Sequence, residues 1–355
     1  MHETVLVTGA AGFIGGRLVE ALHASGETRV RAGIRRWASA ARIGRLPVEI
    51  VTCDVTDRDS VRRGMAGMSR VIHCAWGPAE VNVEGTRNVV DAAAAEGVDR
   101  VVHLSTVDVY GRPSGEVDES TPLDEGFGEY GDSKIRAEKI CRASMNRVPI
   151  TILRPTVVYG PFSPEWTLRF VRLMASGRWT LPEDYGGGEA NPVYVDDLVR
   201  AALLALRRDG AVGEAFNVNG PDRLTWREYI RSIEKATGLP GPRLRSTSVV
   251  RLRGAVMAPV REGARLALRH LSPLAKALYR RSRVVRGVME RTETAIRTTP
   301  SGGEIDFYDR PAHYPVEKAR RLLGFEPTVT LSRGQELTAL WLAHHGYLPR
   351  GGHRV

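Results

Sequence analysis

The chain has little cysteine and no long apolar runs. Its 355 residues include only three cysteines, Cys53, Cys74 and Cys141. An odd, widely spaced set of thiols excludes a disulfide framework and shows no metal-ligand spacing, so we expect reduced thiols in the core and no bound metal. No apolar stretch approaches the roughly 18–20 residues of a membrane-spanning helix, and no signal peptide is recognisable. We therefore expect a cytoplasmic protein.

Acidic residues are scarce in one segment, which makes the charge uneven. The net charge is +10, and residues 243–297 hold fourteen Lys or Arg against three Glu. The rest of the chain is nearly neutral. A nucleic-acid-binding protein of this size carries its basic residues on a recognisable motif or a broad face, and neither is present. We expect no nucleic-acid partner.

A glycine-rich turn lies close to the start of the chain. From Thr4 to Gly16 an apolar run breaks into closely spaced glycines and then resumes with helical spacing, which predicts strand, tight turn and helix. Glycines allow close approach of the backbone to a ligand, and the helix start offers free N–H groups and a positive dipole end. The turn suits a pyrophosphate. A turn without a ligand is the alternative for this motif taken alone.

Asp and Glu are also absent from residues 28–48, where a second predicted strand ends. In dinucleotide-binding folds an acid in this region binds the adenosine ribose, whereas arginine accommodates a 2′-phosphate. Arg35 and Arg36 occupy the position here. We therefore expect NADP(H), with NAD(H) as the alternative. Three residues at the ends of later strands are placed beside the cofactor: Asp54, Val55 and Ala75.

Strand-like runs alternate with helical patterns through the first half of the chain, which predicts a parallel sheet. We expect an α/β fold, with a Rossmann-type doubly wound parallel sheet and a smaller, mostly helical C-terminal substrate lobe. The NAD(P)-binding domain is placed at residues 1–165 plus about 192–222. The substrate lobe is placed at about 166–191 plus 223–348, with a basic helical insert at about 243–299.

Residues that can carry chemistry follow the fifth predicted strand. Tyr130 and Lys134 are four residues apart at the start of a predicted helix, so they share one helical face. A nearby ammonium stabilises the phenolate and lowers the pKa of the tyrosine. Thr106 places a hydroxyl at the carboxyl end of the strand, where such sheets bind ligands.

Several motifs in order make the chain resemble one family. They are the glycine turn, Asn82-Val83-x-Gly85-Thr86-x-Asn88, Leu104-Ser105-Thr106 with Val109-Tyr110-Gly111, Tyr130-x-x-x-Lys134, and Leu153-Arg154-Pro155 with Tyr159-Gly160-Pro161. Together they resemble an extended short-chain dehydrogenase/reductase, and more narrowly the NAD-dependent epimerase/dehydratase family. The resemblance runs from Val5 to about Leu348 and leaves mainly residues 243–299 unlike the family.

The resemblance implies a catalytic trio of Thr106, Tyr130 and Lys134. Tyr130 exchanges a proton with the substrate oxygen, Lys134 holds the nicotinamide ribose, and Thr106 hydrogen-bonds the reacting oxygen. Ser105 is the rival hydroxyl, but the family places the active one four residues before Tyr110. The resemblance also implies a homodimer through the helices near residues 83–95 and 130–145. Further cofactor contacts that it implies are Gly9, Gly12, Phe13, Ile14, Gly15 and Pro155.

Three positions depart from the sugar-nucleotide members of the family. An Asp-Glu pair that follows the active threonine in dehydratases is Val107-Asp108 here, an asparagine that contacts the diphosphate is Val157, and a diphosphate-binding arginine aligns with Ala190. With only Asp108 left of the acidic pair, the acid–base set for eliminating water is incomplete, which argues against a sugar dehydratase. Apolar side chains cannot offset the desolvation of a phosphate, so Val157 and Ala190 argue against a nucleotide-diphosphate group. We name four candidate substrate contacts: Asp108, Val157, Asn191 and Arg310.

The expected function is an NADP(H)-dependent oxidoreductase that reduces a ketone or oxidises a secondary alcohol of a small metabolite, with Tyr130 as acid and base. The alternative is a sugar or nucleotide-sugar epimerase or dehydratase that holds NAD(P) tightly. A second alternative is a non-catalytic dinucleotide-binding or membrane-surface protein. It is based on the basic amphipathic pattern of residues 249–291, which suits peripheral membrane contact or a solvated helical face.

Overall fold

The computed structural model describes residues 3–270 and 294–348. The chain forms two compact units by its internal contacts. Unit 1 comprises Met1–Ser163, Asn191–Arg223 and Ala312–Gly334. Unit 2 comprises Pro164–Ala190, Leu224–Pro311 and Gln335–Val355. The assignment of cofactor binding to one lobe and substrate binding to the other stays a prediction.

Unit 1 is built on seven parallel strands in the order β11-β7-β5-β4-β1-β2-β3. Two-stranded parallel pairs are β8 with β10 and β6 with β13 in unit 1, and β9 with β12 in unit 2. The strands are β1 (Glu3–Thr8), β2 (Thr28–Ile34), β3 (Glu49–Thr52), β4 (Arg70–His73), β5 (Arg100–Leu104), β6 (Gly115–Glu116), β7 (Ile150–Pro155), β8 (Val157–Tyr159), β9 (Thr180–Pro182), β10 (Pro192–Tyr194), β11 (Ala215–Val218), β12 (Arg243–Arg245) and β13 (Ala312–His313).

The strand order changes direction beside β1. The chain proceeds from β1 to β2 and β3 on one side, and then crosses to β4, which pairs with the opposite edge of β1. Ligands of such sheets bind in the crevice at this switch point, outside the carboxyl ends of the strands. The predicted Rossmann-type doubly wound parallel sheet is confirmed.

Helices flank the sheet and explain its apolar strands. In unit 1, α1 packs with α6, and α3 packs with α2 and α4, so the central strands are buried and read as continuous apolar runs. Asp57 caps α2, because its carboxylate accepts from two main-chain N–H groups. The helices are α1 (Phe13–Ser25), α2 (Arg58–Met65), α3 (Ala79–Ala95), α4 (Glu129–Ala143), α5 (Arg169–Ala175), α6 (Val195–Arg207), α7 (Trp226–Thr237), α8 (Thr247–His270), α9 (Gly302–Tyr308), α10 (Glu317–Leu323) and α11 (Leu331–His344).

Unit 2 is mostly helical and has an aromatic core. Trp226 packs against Trp166, Phe170 and Tyr308, with ring centroids 5.0–6.4 Å apart. The helix α7 begins with a capping box between Thr225 and Glu228. The basic segment is described to residue 270 and again from 294. Within it α8 is one helix that continues through Pro259.

A buried ion pair joins α4 to the sheet of unit 1. Arg154 on β7 donates two hydrogen bonds to the Glu138 carboxylate, of 2.9 and 2.6 Å. Ser105 donates to the same carboxylate, and the third nitrogen of Arg154 donates to the hydroxyl of Tyr110. That hydroxyl in turn donates to Asn217 on β11. All five side chains are at most 4% exposed, so each charge depends on its partner inside the protein.

We expect Glu138→Gln to lower the free energy of unfolding by about 3–5 kcal/mol, because it leaves the Arg154 guanidinium buried without a compensating charge. Chemical denaturation followed by far-UV circular dichroism measures this. The control is Asp91→Asn, which removes an exposed ion pair with Arg147 and should cost about 0–1 kcal/mol. Equal losses in the two variants would contradict the importance of the buried pair.

Candidate active site

The glycine turn after β1 has the geometry of a phosphate cradle. Gly9 has a φ of +66°, and a Cβ atom there would lie 2.8 Å from the main chain of Ala75. At Gly15 a Cβ would lie 2.3 Å from the Gly9 carbonyl oxygen. No side chain caps the start of α1 at Gly12. The main-chain N–H groups of Phe13 and Ile14, at the helix start, therefore have no capping side chain. This turn fits the pyrophosphate of a dinucleotide.

The residues predicted at the adenosine end follow β2 and β3. Arg35 and Arg36 are both exposed directly after β2, and no ion pair of their guanidinium groups is found among the described residues. The Asp54 carboxylate accepts from the N–H and hydroxyl of Thr56 and so stabilises its own turn. Val55 is 5% exposed and belongs to the core of unit 1. The cofactor roles of these residues stay predictions.

Ala75 lies against the glycine turn, and its predicted contact with the cofactor stays a prediction. Its N–H points to the hydroxyl of Thr8 at 3.4 Å, and its main chain is the neighbour that excludes a side chain at Gly9. His73, two residues earlier at the end of β4, shares hydrogen bonds with Thr8 and Thr86. Burial, together with the smaller effect of the nearby Lys134 charge, lowers the pKa of His73 to about 3. This histidine is therefore a neutral core residue.

The structure brings the predicted catalytic trio together at the carboxyl end of β5. Thr106 lies two residues after the end of β5 and caps the short 3₁₀ turn Val107–Tyr110. Tyr130 lies in the first turn of α4, is 39% exposed, and is hydrogen-bonded to the Thr106 side chain. Lys134, one helical turn later, is 4% exposed and donates from Nζ to the carbonyl of Leu104 at 2.8 Å. A substrate oxygen can thus meet two hydroxyl groups beside an ammonium.

The pKa of Tyr130 is raised above its ordinary value, opposite to the direction that the Tyr-x-x-x-Lys spacing predicted. Desolvation is the largest cause and the Asp108 carboxylate adds to it, whereas the Thr106 hydrogen bond lowers the pKa. Burial also lowers the pKa of Lys134 to about 8, against the opposing influence of Cys74, Cys141 and Glu138. Tyr130 is consequently a neutral proton donor in this structure.

The four candidate substrate contacts have different surroundings. Asp108 is close enough to Tyr130 to raise its pKa. Val157 is buried on β8, and Asn191 is buried at the start of β10 with its amide bonded to Ala312 and Asn219. Arg310 belongs to unit 2, where its guanidinium lies 4.9 Å from the ring centroid of Phe307. Substrate contact by these residues stays a prediction, and the bonded amide of Asn191 gives that residue a structural role.

The sequence motifs gave Asn82 no function, yet its side chain positions Tyr130. The Asn82 amide accepts from the N–H of Gly77 and donates to the hydroxyl of Ser133, which donates to the carbonyl of Tyr130. Asn82 and Ser133 are at most 2% exposed. The only sequence signal was a polar residue on the inner face of a helix, together with a serine three residues after Tyr130.

Pro155 is the last residue of β7 and is buried at the carboxyl end of the sheet.

In residues 3–270 and 294–348 no group of His, Cys, Asp or Glu has the arrangement of a metal site. Over the same residues, no helix combines the length and apolarity that crossing a membrane demands.

Comparisons with known proteins identify relatives of this chain. Sterol demethylase protein B of Methylococcus capsulatus is 33% identical over 257 residues, which are 68% of this chain and 76% of the relative. N-acetyl-alpha-D-glucosaminyl-diphospho-ditrans,octacis-undecaprenol 4-epimerase of Escherichia coli O157:H7 is 29% identical over 253 residues, or 66% and 73% of the two chains.

The fold is shared with solved structures. UDP-glucuronic acid 4-epimerase of Bacillus cereus, determined with UDP-glucuronic acid and NAD, superimposes with a TM-score of 0.71 over 96% of this chain and 99% of that chain, at 22% identity. The sequence model described as NAD dependent epimerase/dehydratase family matches residues 5–219, which include the glycine turn and all three catalytic candidates. The chain therefore belongs to the NAD-dependent epimerase/dehydratase family and is an NAD(P)-dependent enzyme.

Proposed function

We propose that the chain is an epimerase that acts on a sugar or nucleotide-sugar and retains its nicotinamide cofactor. The observation that carries this proposal is the meeting of Thr106, Tyr130 and Lys134 at the carboxyl end of β5. A relative that is 29% identical and is named as a 4-epimerase supports this outcome. The comparisons support it better than the NADP(H)-dependent ketone reduction that the sequence favoured.

Each residue of the trio has a distinct task at the carbinol group. When bound, the cofactor supplies hydride acceptance and return at the carbinol carbon. Tyr130 takes the hydroxyl proton as the carbinol is oxidised and gives it back to the ketone oxygen as that ketone is reduced on its other face. Thr106 donates a hydrogen bond to the same oxygen. Desolvation raises the pKa of Tyr130 and so disfavours its phenolate. The task of Lys134 is to stabilise that phenolate with its positive charge whenever Tyr130 has given up its proton.

We expect Tyr130→Phe to lower the rate of epimerisation by about 10²–10⁴-fold, because it removes the proton donor and acceptor. The measurement is interconversion of UDP-glucose and UDP-galactose by the natively purified chain, with retained NAD(H) identified by mass spectrometry. Tyr347→Phe is the matched control, since Tyr347 is also 39% exposed but lies near the C-terminus in unit 2. Product formation in step with cofactor consumption, and without epimer, would contradict the proposal.

A second candidate function is ketone reduction with exchangeable NADP(H). The exposed pair Arg35 and Arg36 favours it, because a 2′-phosphate requires cationic side chains at the end of β2. The apolar Val157, in place of the asparagine of sugar-nucleotide members, also favours a substrate without a diphosphate. Here Tyr130 gives its proton to the ketone oxygen and is reprotonated from solvent.

We expect the double variant Arg35→Ala, Arg36→Ala to bind NADPH about tenfold or more weakly, with binding of NADH unchanged, because only NADPH carries the 2′-phosphate. Fluorescence titration of the purified chain measures both dissociation constants. Arg63→Ala, an exposed arginine of α2, is the control. A loss that is equal for the two cofactors argues that the pair acts on the fold, and no loss argues for an NAD(H) enzyme.

We also propose that α8 contacts an anionic membrane surface. Val249, Leu252, Val256 and Val260 follow one another at helical spacing and are all exposed, Leu252 at 67% and Val256 at 63%. The basic segment gives this apolar stripe a charge complementary to acidic lipids. A solvated helical face of unit 2 is the alternative interpretation.

Flotation with vesicles of phosphatidylserine and phosphatidylcholine tests α8. We expect the chain to float at low salt and less at high salt, and the double variant Leu252→Glu, Val256→Glu to stay in the soluble fraction. Vesicles of phosphatidylcholine alone are the control for charge. A chain that does not float with acidic vesicles at low salt has no such surface.

The homodimer implied by the family resemblance stays a prediction. The helices that it would use are present as α3 and α4, which pack against each other within unit 1. The cytoplasmic location likewise stays an expectation from the sequence.

A further inference from the structure

A large aromatic side chain stands exposed beside the catalytic phenol. Trp76 lies on the short loop between β4 and α3, directly after Ala75, and is 66% exposed. Its ring meets that of Tyr130 edge-on, with centroids 6.3 Å apart and an interplanar angle of 77°. Indole rings are usually covered because their burial stabilises the fold, so an exposed one at a reactive group suggests a contact with ligand.

The loop that carries Trp76 is fixed at its far end. Gly77 donates its N–H to Asn82 at 3.2 Å, and Asn82 donates to Ser133 at 2.9 Å. Ser133 completes the path by donating to the carbonyl of Tyr130 at 2.8 Å. Because Asn82 and Ser133 are buried, this chain of hydrogen bonds fixes the position of the loop that carries Trp76 relative to Tyr130.

The near end of the loop is fixed against the glycine turn. The N–H of Ala75 points to Thr8, and the Ala75 main chain touches Gly9. Trp76 thus extends from a backbone that is held on one side by the cofactor cradle and on the other by the start of α4. Its indole has a set position although its surface is open, which is the preorganisation that a binding wall requires.

We propose that Trp76 is a wall of the substrate site that stacks on the apolar C–H face of a ring, and that this contact selects substrates whose reacting carbon belongs to a ring. The inference rests on the proposed function, because it takes Tyr130 as the group that marks the reacting oxygen. Aromatic rings bind such C–H faces through their negative π surface. A pyranose ring and an alicyclic hydrocarbon ring both offer this face, whereas an open chain does not hold one.

The test uses the full chain labelled with 5-fluorotryptophan and saturated with NAD⁺, and the variant Trp76→Phe assigns the Trp76 fluorine resonance. The probes are UDP-glucose, cyclohexanone and the open-chain 2-hexanone. We expect the Trp76 resonance to shift with a cyclic probe and not with 2-hexanone. A response to UDP-glucose alone identifies a sugar ring as the occupant, and a response to cyclohexanone alone identifies a hydrocarbon ring.

Three outcomes overturn the proposal. They are no shift with either cyclic probe, an equal shift with 2-hexanone, and a shift that NAD⁺ produces by itself with no further change on adding a cyclic probe. The last outcome would make Trp76 a contact of the cofactor. The Tyr130→Phe variant separates this inference from the proposed function. Retention of turnover in that variant would contradict the proposed function, whereas loss of the Trp76 shift with the cyclic probes would contradict this inference, and the two results are independent.

Kinetics supply the second readout. We expect Trp76→Ala to lower kcat/KM for the cyclic substrate at least about tenfold, mainly through KM, and Trp76→Phe to restore most of it. The dissociation constant of the cofactor should be unchanged. Trp37→Ala is the matched control, because Trp37 is 62% exposed in the same unit but lies beyond β2. A loss through kcat alone in Trp76→Ala would place its effect on Tyr130 and overturn the proposal.

Discussion

The close approach of Gly9 to Ala75 is the constraint on which the site depends. The parallel strands β1 and β4 are neighbours, so the chain must leave both at the same edge of the sheet. Only a residue without Cβ allows the two exits to pass, since a Cβ at Gly9 would lie 2.8 Å from Ala75. That contact opens the start of α1 toward the crevice and directs the following residue, Trp76, toward Tyr130.

Desolvation decides the chemistry of the groups gathered there. It lowers the pKa of Lys134 to about 8 and that of His73 to about 3, and it raises the pKa of Tyr130. The buried Glu138 raises the pKa of Lys134 and so opposes desolvation, but its carboxylate is paired with Arg154. Tyr130 therefore holds a proton by default, and the charge of Lys134 must be kept close for that proton to move.

The sequence predicted what local patterns encode. Alternating strands and helices, the glycine turn and the spacing of Tyr130 and Lys134 depend on neighbours in the chain, and the sheet and the meeting of the trio followed from them. Contacts between residues far apart in the chain could not be predicted from such local patterns. Asn82 finds Ser133 fifty-one positions away. Asp197, in the first turn of α6, accepts from the main chain at Thr328 and Val329, which lie 131 and 132 positions away.

An epimerase and a ketone reductase can share this site because both need the same proton and hydride positions. They differ in whether the cofactor leaves, which depends on the glycine turn and on Arg35 and Arg36, and in what the substrate offers beyond its reacting oxygen. The three candidate catalytic side chains cannot recognise the rest of the substrate, since each is directed at the oxygen or held by the protein. Selection falls to exposed groups with fixed backbones, and Trp76 is such a group beside Tyr130.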